Sequence, residues 1–171
     1  MNNNKIGFGG SCHWCTEAIF LSLKGVNEAQ QGWIASDDEN SSFSEAVIVQ
    51  YDHRLISLQT LIAIHLYTHS CTSNHSMRMK YRSAIYAFND MQKTIAADAV
   101  ASLQKEFDHA IITTILPFRQ FKLNTEEFIN YYYSNPEKPF CENIVNPKLK
   151  LLMQQFSSAV DADKLKHLQP I

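Results

Sequence analysis

The chain has 171 residues, of which 45% are hydrophobic and 19% charged, with a formal net charge of −2 at pH 7. These values are typical of a single globular domain and argue against a nucleic-acid binder; we predict one domain over residues 1–171, with a loose tail after about residue 157. The apolar runs are far shorter than the ~20 residues of a membrane-spanning helix, and the first residues lack the apolar core of a signal peptide, which predicts a cytoplasmic protein.

The first predicted unit is a strand, a glycine turn and a helix. Residues 5–8 form a short apolar run that stops at Gly9-Gly10-Ser11, and residues 16–23 carry apolar side chains at helical spacing. Cys12 therefore falls at the first turn of the predicted helix.

The middle of the chain contains regular patterns of both kinds. The β-branched residues over 45–51 predict a buried strand, with residues 25–35 as its antiparallel partner. Apolar residues at helical spacing predict helices over 57–68 and 90–107, the first capped by Ser57.

The remaining segments complete the predicted fold. Residues 83–88 and 110–116 are predicted as strands, residues 126–133 as a short helix, and the chain from Ser134 onward as an extended, surface-wrapping segment. This order predicts an α+β fold, a two-layer α/β sandwich with a ferredoxin-like mixed sheet, packed helices and an extended C-terminal segment.

The densest group of reactive residues is Gly9-Gly10-Ser11-Cys12-His13-Trp14-Cys15-Thr16-Glu17. A thiol at a helix N-terminus lies near free backbone N–H groups and the positive end of the helix dipole, and both favour the thiolate. Cys12 is therefore a candidate nucleophile, although a lone cysteine is as often a small buried apolar side chain.

The C-x-x-C spacing of Cys12 and Cys15 has three other interpretations. A thioredoxin-like dithiol normally follows more of the sheet and works beside a cis-proline, whereas here the first proline is Pro117. A structural zinc site could use Cys12, Cys15, His69 and Cys71, but a domain of this size gains little from zinc. A papain-like protease is rejected because the only histidine in the tail is at position 167, near the end of the chain.

Several short motifs together resemble the peptide methionine sulfoxide reductase A family. They occur in the family's order and span roughly residues 5–150: Gly9 to Phe20 with Leu23 to Val26, Ser44-Glu45-Ala46-Val47 with Tyr51-Asp52, Tyr81-Arg82-Ser83-Ala84-Ile85-Tyr86, residues 128–136, Pro139-Phe140-Cys141, and Pro147-Lys148. The resemblance implies an enzyme that reduces the S epimer of methionine sulfoxide, free or in peptides and proteins. A catalytically altered member that binds oxidised-methionine peptides without turnover is the alternative within the family.

The resemblance also implies three catalytic residues. Cys12 would attack the sulfur of the sulfoxide, Glu45 would supply the proton to the leaving oxygen, and Tyr81 would donate a hydrogen bond to that oxygen. Burial at the mouth of a strand would hold Glu45 in its protonated form.

The product on the enzyme would be a sulfenic acid, which a second thiol converts to a disulfide. Cys15 is nearest in sequence, Cys141 lies in the segment from which the family often draws such thiols, and Cys71 is the third candidate. Thioredoxin or another dithiol would regenerate the enzyme, and neither a metal nor another cofactor is implied.

Departures from the family pattern concern substrate binding. Trp14 would form the apolar wall for the substrate methyl group, while His13 replaces the family's phenylalanine; as a cation it would favour the Cys12 thiolate. The loop before Tyr81 is rebuilt, with His75 or Ser76 in place of the family's aspartate. The other histidines of this region, His65 and His69, are predicted to be structural.

Overall fold

A computed structural model of the protein describes residues 3–169 and contains a six-stranded mixed sheet in the order β5-β4-β1-β3-β2-β6. The strands are β1 (Asn3–Gly9), β2 (Val26–Ala35), β3 (Ser44–Asp52), β4 (Ala84–Ala87), β5 (Thr114–Pro117) and β6 (Gln120–Leu123). All neighbouring strands are antiparallel except β4 and β5, which are parallel.

The helices are α1 (His13–Leu21), α2 (Leu58–Thr68), α3 (Asp90–Leu103), the four-residue α4 (Tyr131–Ser134) and α5 (Asn146–Gln155), which follows a π-helical turn at Cys141–Val145. Two of them begin at the caps that their sequences encode: Ser57 Oγ accepts from Thr60 N at 3.1 Å, and Asn89 Oδ1 accepts from Gln92 N at 2.9 Å. Within residues 3–169, no helix has the length and apolar character needed to cross a membrane.

The first four strands and two helices form a ferredoxin-like unit. Its chain order is β1, α1, β2, β3, α2, β4, and its strand order is β4-β1-β3-β2. After α3, β5 adds to one edge beside β4, and β6 adds to the other edge beside β2. The predicted α+β fold with a ferredoxin-like mixed sheet is confirmed.

The core separates on the two faces of the sheet because side chains alternate along each strand. Val47 and Val49 of β3 pack in the large cluster under the helices, whereas Ala46 and Ile48 belong to a smaller cluster on the opposite face with Tyr86. Helices therefore cover mainly one face, and both faces of β3 are buried.

The sequence patterns do not predict β6. Its four residues are mostly exposed, and it pairs with β2 at a point where the two backbones come unusually close. A Cβ on Gly32 would lie 2.0 Å from Lys122 O, so this pairing requires a glycine in β2.

The C-terminal segment differs most from the prediction of extended chain. Of the predicted helix over 126–133, only its end is helical, and beyond it the π-helical turn runs directly into α5. Pro147 stands in the first turn of α5, where a proline favours a helix, and Leu149 and Leu152 of α5 are fully buried. Farther along, Val160 is also buried and bridges to Leu23.

Candidate active site

Cys12 is the N-cap residue of α1 and directly follows the turn after β1. Its carbonyl accepts from the N–H groups of Cys15 and Thr16, and its side chain is partly exposed. The preceding Gly10 has φ +142°, and a Cβ there would lie 2.5 Å from His69 Cδ2. Glycine is therefore required at this turn, both for its backbone angle and for the approach of His69.

The pKa values of the Cys12 and Cys15 thiols are shifted in opposite directions. A hydrogen bond from the Cys15 thiol is the main cause that lowers the pKa of Cys12, and the N–H of Trp14 adds to it, while burial and the charge of Glu45 act against it. The same hydrogen bond raises the pKa of Cys15, and burial raises it further. Cys12 is thus the favoured thiolate, and Cys15 retains its proton beside it.

Glu45 lies near the start of β3 and is only 5% exposed. Its Oε1 is 3.1 Å from His13 Nε2 and 3.5 Å from His13 N. Its Oε2 is 3.7 Å from Lys80 Nζ and, within the described chain, has no hydrogen-bond partner. One oxygen of this carboxyl is therefore fixed by His13, and the other lies beside the Lys80 ammonium without a hydrogen bond.

His13 is buried between β2 and the carboxyl of Glu45. Its Nδ1 lies 2.7 Å from Gly32 O, and its ring packs edge-on against Trp33 at 5.1 Å. Burial lowers the pKa of His13, and this effect is larger than the opposing contributions of the Gly32 carbonyl and Glu45. The neutral ring is therefore favoured over the cation considered from the sequence.

Trp14 is part of an aromatic wall beside Cys12. Its ring stacks on Tyr131 at 4.0 Å and on Phe128 at 5.6 Å, and Phe140 meets it edge-on at 5.4 Å. The wall joins α1 to the C-terminal segment and offers an apolar surface of the kind that a thioether methyl group requires.

Glu17, one turn after Trp14, fixes the chain that carries Tyr131. Its buried carboxyl accepts from Asn130 N at 3.0 Å, from Tyr131 N at 3.1 Å and from Gln31 Nε2 at 3.0 Å. Burial raises the pKa of Glu17, and these hydrogen bonds act against that rise. Glu17 lies in the reactive segment of the sequence, but no motif there predicts this role.

The loop before β4 brings Lys80 and Tyr81 to the site. Lys80 Nζ lies 5.1 Å from the centroid of the half-buried Tyr81 ring and is also the cation nearest to Glu45 Oε2 among the described ion pairs. The hydrogen bond with Tyr81, followed by the charge of Glu45, raises the pKa of Lys80. No sequence motif assigns a role to Lys80, whose only signal in the sequence is a charge directly before the Tyr-Arg-Ser motif.

Arg78 holds this loop in place and was also missed. Its guanidinium donates to four backbone carbonyls: Ser73 O at 2.9 Å, Gly10 O at 2.8 Å, Tyr81 O at 2.9 Å and Ser70 O at 2.6 Å. Its sequence context carries no pattern that indicates such a role.

His75 and Ser76, the predicted substitutes for the family's aspartate, lie on the exposed part of the loop. The His75 ring accepts a hydrogen bond from Met77 N at 3.2 Å, a contact local to the loop. Among the hydrogen bonds of residues 3–169, none joins either residue to Cys12 or Glu45.

The two remaining thiols are buried, Cys71 at 2% exposure and Cys141 fully. Burial raises the pKa of both, and Cys141 lies close enough to Cys15 to contribute to the raised pKa of that thiol. In the described chain, the four cysteines are free, and no three His, Cys, Asp or Glu side chains are grouped as a metal site needs. The zinc-site alternative thus lacks a ligand set in residues 3–169.

The two histidines of α2 and its C-cap support the turn that precedes Cys12. His65 Nε2 lies 2.7 Å from Gly9 O, and His69 Nε2 lies 2.8 Å from Ser83 Oγ. Burial lowers the pKa of His69 to about 4 and that of His65 far below its usual value, so both rings are neutral at pH 7. Their contacts agree with the structural role predicted for them.

Comparison with known proteins gives concordant matches. The family described as "Peptide methionine sulfoxide reductase" matches residues 4–160. The peptide methionine sulfoxide reductase MsrA of Pasteurella multocida is 34% identical over 155 residues, which cover 82% of this chain and 89% of the relative.

Two crystal structures of Mxr1 from Saccharomyces cerevisiae share the fold. The reduced form matches with a TM-score of 0.73 at 20% identity, covering 81% of this chain and 89% of Mxr1. The complex of Mxr1 with Trx2 matches with a TM-score of 0.61 at 22% identity, covering 75% of this chain and 84% of the other. From the family match over most of its length and from its similarity to MsrA, the chain belongs to the peptide methionine sulfoxide reductase family.

Proposed function

We propose that the protein reduces the S epimer of methionine sulfoxide, in proteins, in peptides or as the free amino acid, to methionine. The observation that carries this proposal is that Cys12, whose pKa is lowered, stands at the N-cap of α1, while the buried carboxyl of Glu45 lies 3.5 Å from the N–H of the next residue, His13. A nucleophile and an acid must both lie at the sulfoxide for this reaction.

In the proposed first step, the Cys12 thiolate attacks the sulfoxide sulfur, and Glu45 gives a proton to the sulfoxide oxygen. The bond between Cys12 and the substrate sulfur formed by this attack and the sulfur–oxygen bond then both break, as the protonated oxygen moves to Cys12 as a hydroxyl group. Cys12 becomes a sulfenic acid, and the substrate leaves as the thioether. Tyr81 donates a hydrogen bond to the oxygen, and the Trp14 wall receives the methyl group.

In the second step, the thiol of Cys15 attacks the sulfenic acid, a disulfide forms and water leaves. Cys15 is favoured over the other candidates because its side chain is the main influence that lowers the pKa of Cys12, and residues three apart at a helix start have the Cα spacing of a disulfide. Cys141 is the second candidate because it lies near Cys15, and Cys71 is the third.

A dithiol protein of the thioredoxin class then reduces the disulfide. The Mxr1–Trx2 complex supports this choice, since it pairs a protein of the same fold with a protein called Trx2. The cytoplasm, where such reductants act, is the expected location.

The test supplies each epimer of a methionine sulfoxide peptide separately, with dithiothreitol as reductant. We expect consumption of the S epimer alone, its loss in Cys12→Ser, and its retention in Cys71→Ser, which makes the same replacement of a thiol by a hydroxyl at another free cysteine. Consumption of neither epimer by the wild type, with or without binding of the peptide, would refute the proposal.

A further inference from the structure

The strongest feature that the reaction above leaves unexplained is the contact between His13 and Glu45. Both side chains are buried, at 4% and 5% exposure, and Nε2 of the ring faces Oε1 of the carboxyl at 3.1 Å. Buried polar atoms at this distance need a proton between them to attract each other.

The other ring nitrogen fixes the tautomer of His13. Its Nδ1 lies 2.7 Å from Gly32 O, and a carbonyl oxygen can only accept, so Nδ1 carries a hydrogen. In the neutral ring, Nε2 then has no hydrogen and is itself an acceptor.

An ionised Glu45 facing a neutral His13 would therefore place two acceptors 3.1 Å apart in a buried site. Asn124 Nδ2 donates one of its two hydrogens to Gln31 Oε1 at 2.6 Å, and the other can reach Nε2 only at 3.4 Å, farther than Glu45 Oε1. It does not relieve the contact between Nε2 and Oε1, which requires one proton of its own.

The surroundings indicate where this proton lies. Burial lowers the pKa of His13, which favours the neutral ring in which Nε2 accepts a hydrogen bond. Among the described residues, the other titratable groups that face the pair are the Cys12 thiol and the Lys80 ammonium, whose Nζ lies 3.7 Å from Oε2.

We propose that His13 and Glu45 share a single proton and that this is the proton which Glu45 transfers to the sulfoxide oxygen. His13 is then a positioning residue: it holds the acid in its protonated form and orients it through Gly32. In the transfer, the bond between the proton and the pair breaks and a bond to the sulfoxide oxygen forms, while water later returns a proton to the pair. This inference rests on the proposed function.

The shared proton has a readout that needs no activity. In protein labelled with ¹⁵N-histidine, we expect His13 to show a hydrogen on Nδ1 and a second, far-downfield proton at the contact with Glu45. The second signal should vanish in Glu45→Gln and in His13→Asn, whereas the first should persist in Glu45→Gln. Absence of any Glu45-dependent proton signal in the wild type would overturn the inference.

The role in catalysis is tested by the pH profile of kcat in His13→Asn. Asparagine keeps a donor in the place of Nδ1 for Gly32 O but is too short to reach Glu45. We expect a loss of about tenfold or more at pH 8 that becomes clearly smaller at pH 6, where solvent protons replace the shared one. A loss equal at every pH, or a wild-type profile, would refute the catalytic part.

The two proposals fail in distinguishable ways. If the wild type reduces neither epimer, the proposed function is lost, while the histidine spectrum still decides whether a proton is shared. If the wild type turns over and His13→Asn has an unchanged pH profile, only the inference about His13 fails.

Discussion

At the scale of single residues, the site depends on two thiols of the same type that behave differently. Cys12 stands at the N-cap of α1, where N–H groups and the Cys15 thiol surround it, whereas Cys15 is enclosed one turn farther in. The sequence gives the C-x-x-C spacing, and from it the helix start can be predicted. Which of the two thiols has the lowered pKa cannot be predicted from this spacing, because it depends on how deeply each thiol is buried.

Removing the Cys15 thiol should make Cys12 less reactive near neutral pH. The hydrogen bond from Cys15 is the main cause that lowers the pKa of Cys12, so in Cys15→Ala the thiolate appears only at higher pH. The measurement is the rate of alkylation of Cys12 by iodoacetamide against pH, with the other cysteines mapped by mass spectrometry. We expect the wild-type rate to fall as the pH drops through the lowered pKa and the curve of the variant to lie at higher pH.

Cys71→Ala is the matched control, since it also removes a buried thiol. Its alkylation curve for Cys12 should coincide with that of the wild type. Identical curves for Cys15→Ala and the wild type would show that Cys15 does not stabilise the thiolate.

At the scale of elements, α1 connects the nucleophile to the C-terminal segment through the buried carboxyl of Glu17. Three donors converge on this carboxyl, two of them backbone N–H groups next to the aromatic wall. A carboxylate offers enough lone pairs for all of them, and an amide does not.

Glu17→Gln should therefore lower both stability and substrate binding. An amide nitrogen facing these donors leaves at least one buried group unpaired, at a cost of about 1–3 kcal/mol in the free energy of unfolding. Because Tyr131 then loses its anchor against Trp14, we also expect a higher KM. Urea unfolding and steady-state kinetics measure the two effects.

Glu127→Gln makes the same chemical change at an exposed position a few residues before Asn130. It should leave the free energy of unfolding and the KM near their wild-type values. A Glu17→Gln variant as stable as this control would contradict the idea that the Glu17 carboxyl holds the segment of Asn130 and Tyr131 in place.

The elements that were predicted correctly carry their own local signal. The β-branched run of β3 and the spaced apolar residues of α2 are sufficient to identify them. The strand β6 has no such signal, since its pairing depends on the missing side chain of Gly32 in a distant strand. The C-terminal prolines suggested extended chain, but one of them starts α5, and only the burial of Leu149 and Leu152 distinguishes the two outcomes.

At the scale of the whole molecule, the candidate site is assembled from the ends of strands that lie far apart in sequence. Cys12 follows β1, Glu45 lies at the start of β3, and Tyr81 precedes β4. These strands are neighbours in the sheet, so the three residues meet where the strands end. The motifs predict these three residues as catalytic, because each occurs within a recognisable segment. The residue that ties the loop to the nucleophile, Arg78, belongs to none of them and was not predicted.

Arg78→Ala should separate catalysis from folding. Its guanidinium joins Gly10 O on the nucleophile turn to Tyr81 O and to the loop carbonyls Ser70 O and Ser73 O. Without it, Tyr81 and Lys80 lose their fixed distance from Cys12, and we expect kcat/KM to fall by about tenfold to a hundredfold. Arg78→Lys should rescue little, because an ammonium cannot match the planar set of donors.

Hydrogen exchange distinguishes this role from general destabilisation. Amides over residues 70–81 should exchange faster in Arg78→Ala, while those of β1 and β3 remain protected, because those central strands are held by their own pairing on both sides. Arg54→Ala is the matched control, since it removes an arginine whose described ion pair, with Asp52, is exposed and remote from Cys12. Equal loss of activity in the two variants, or uniform loss of protection in Arg78→Ala, would contradict the idea that one side chain couples this loop to the nucleophile.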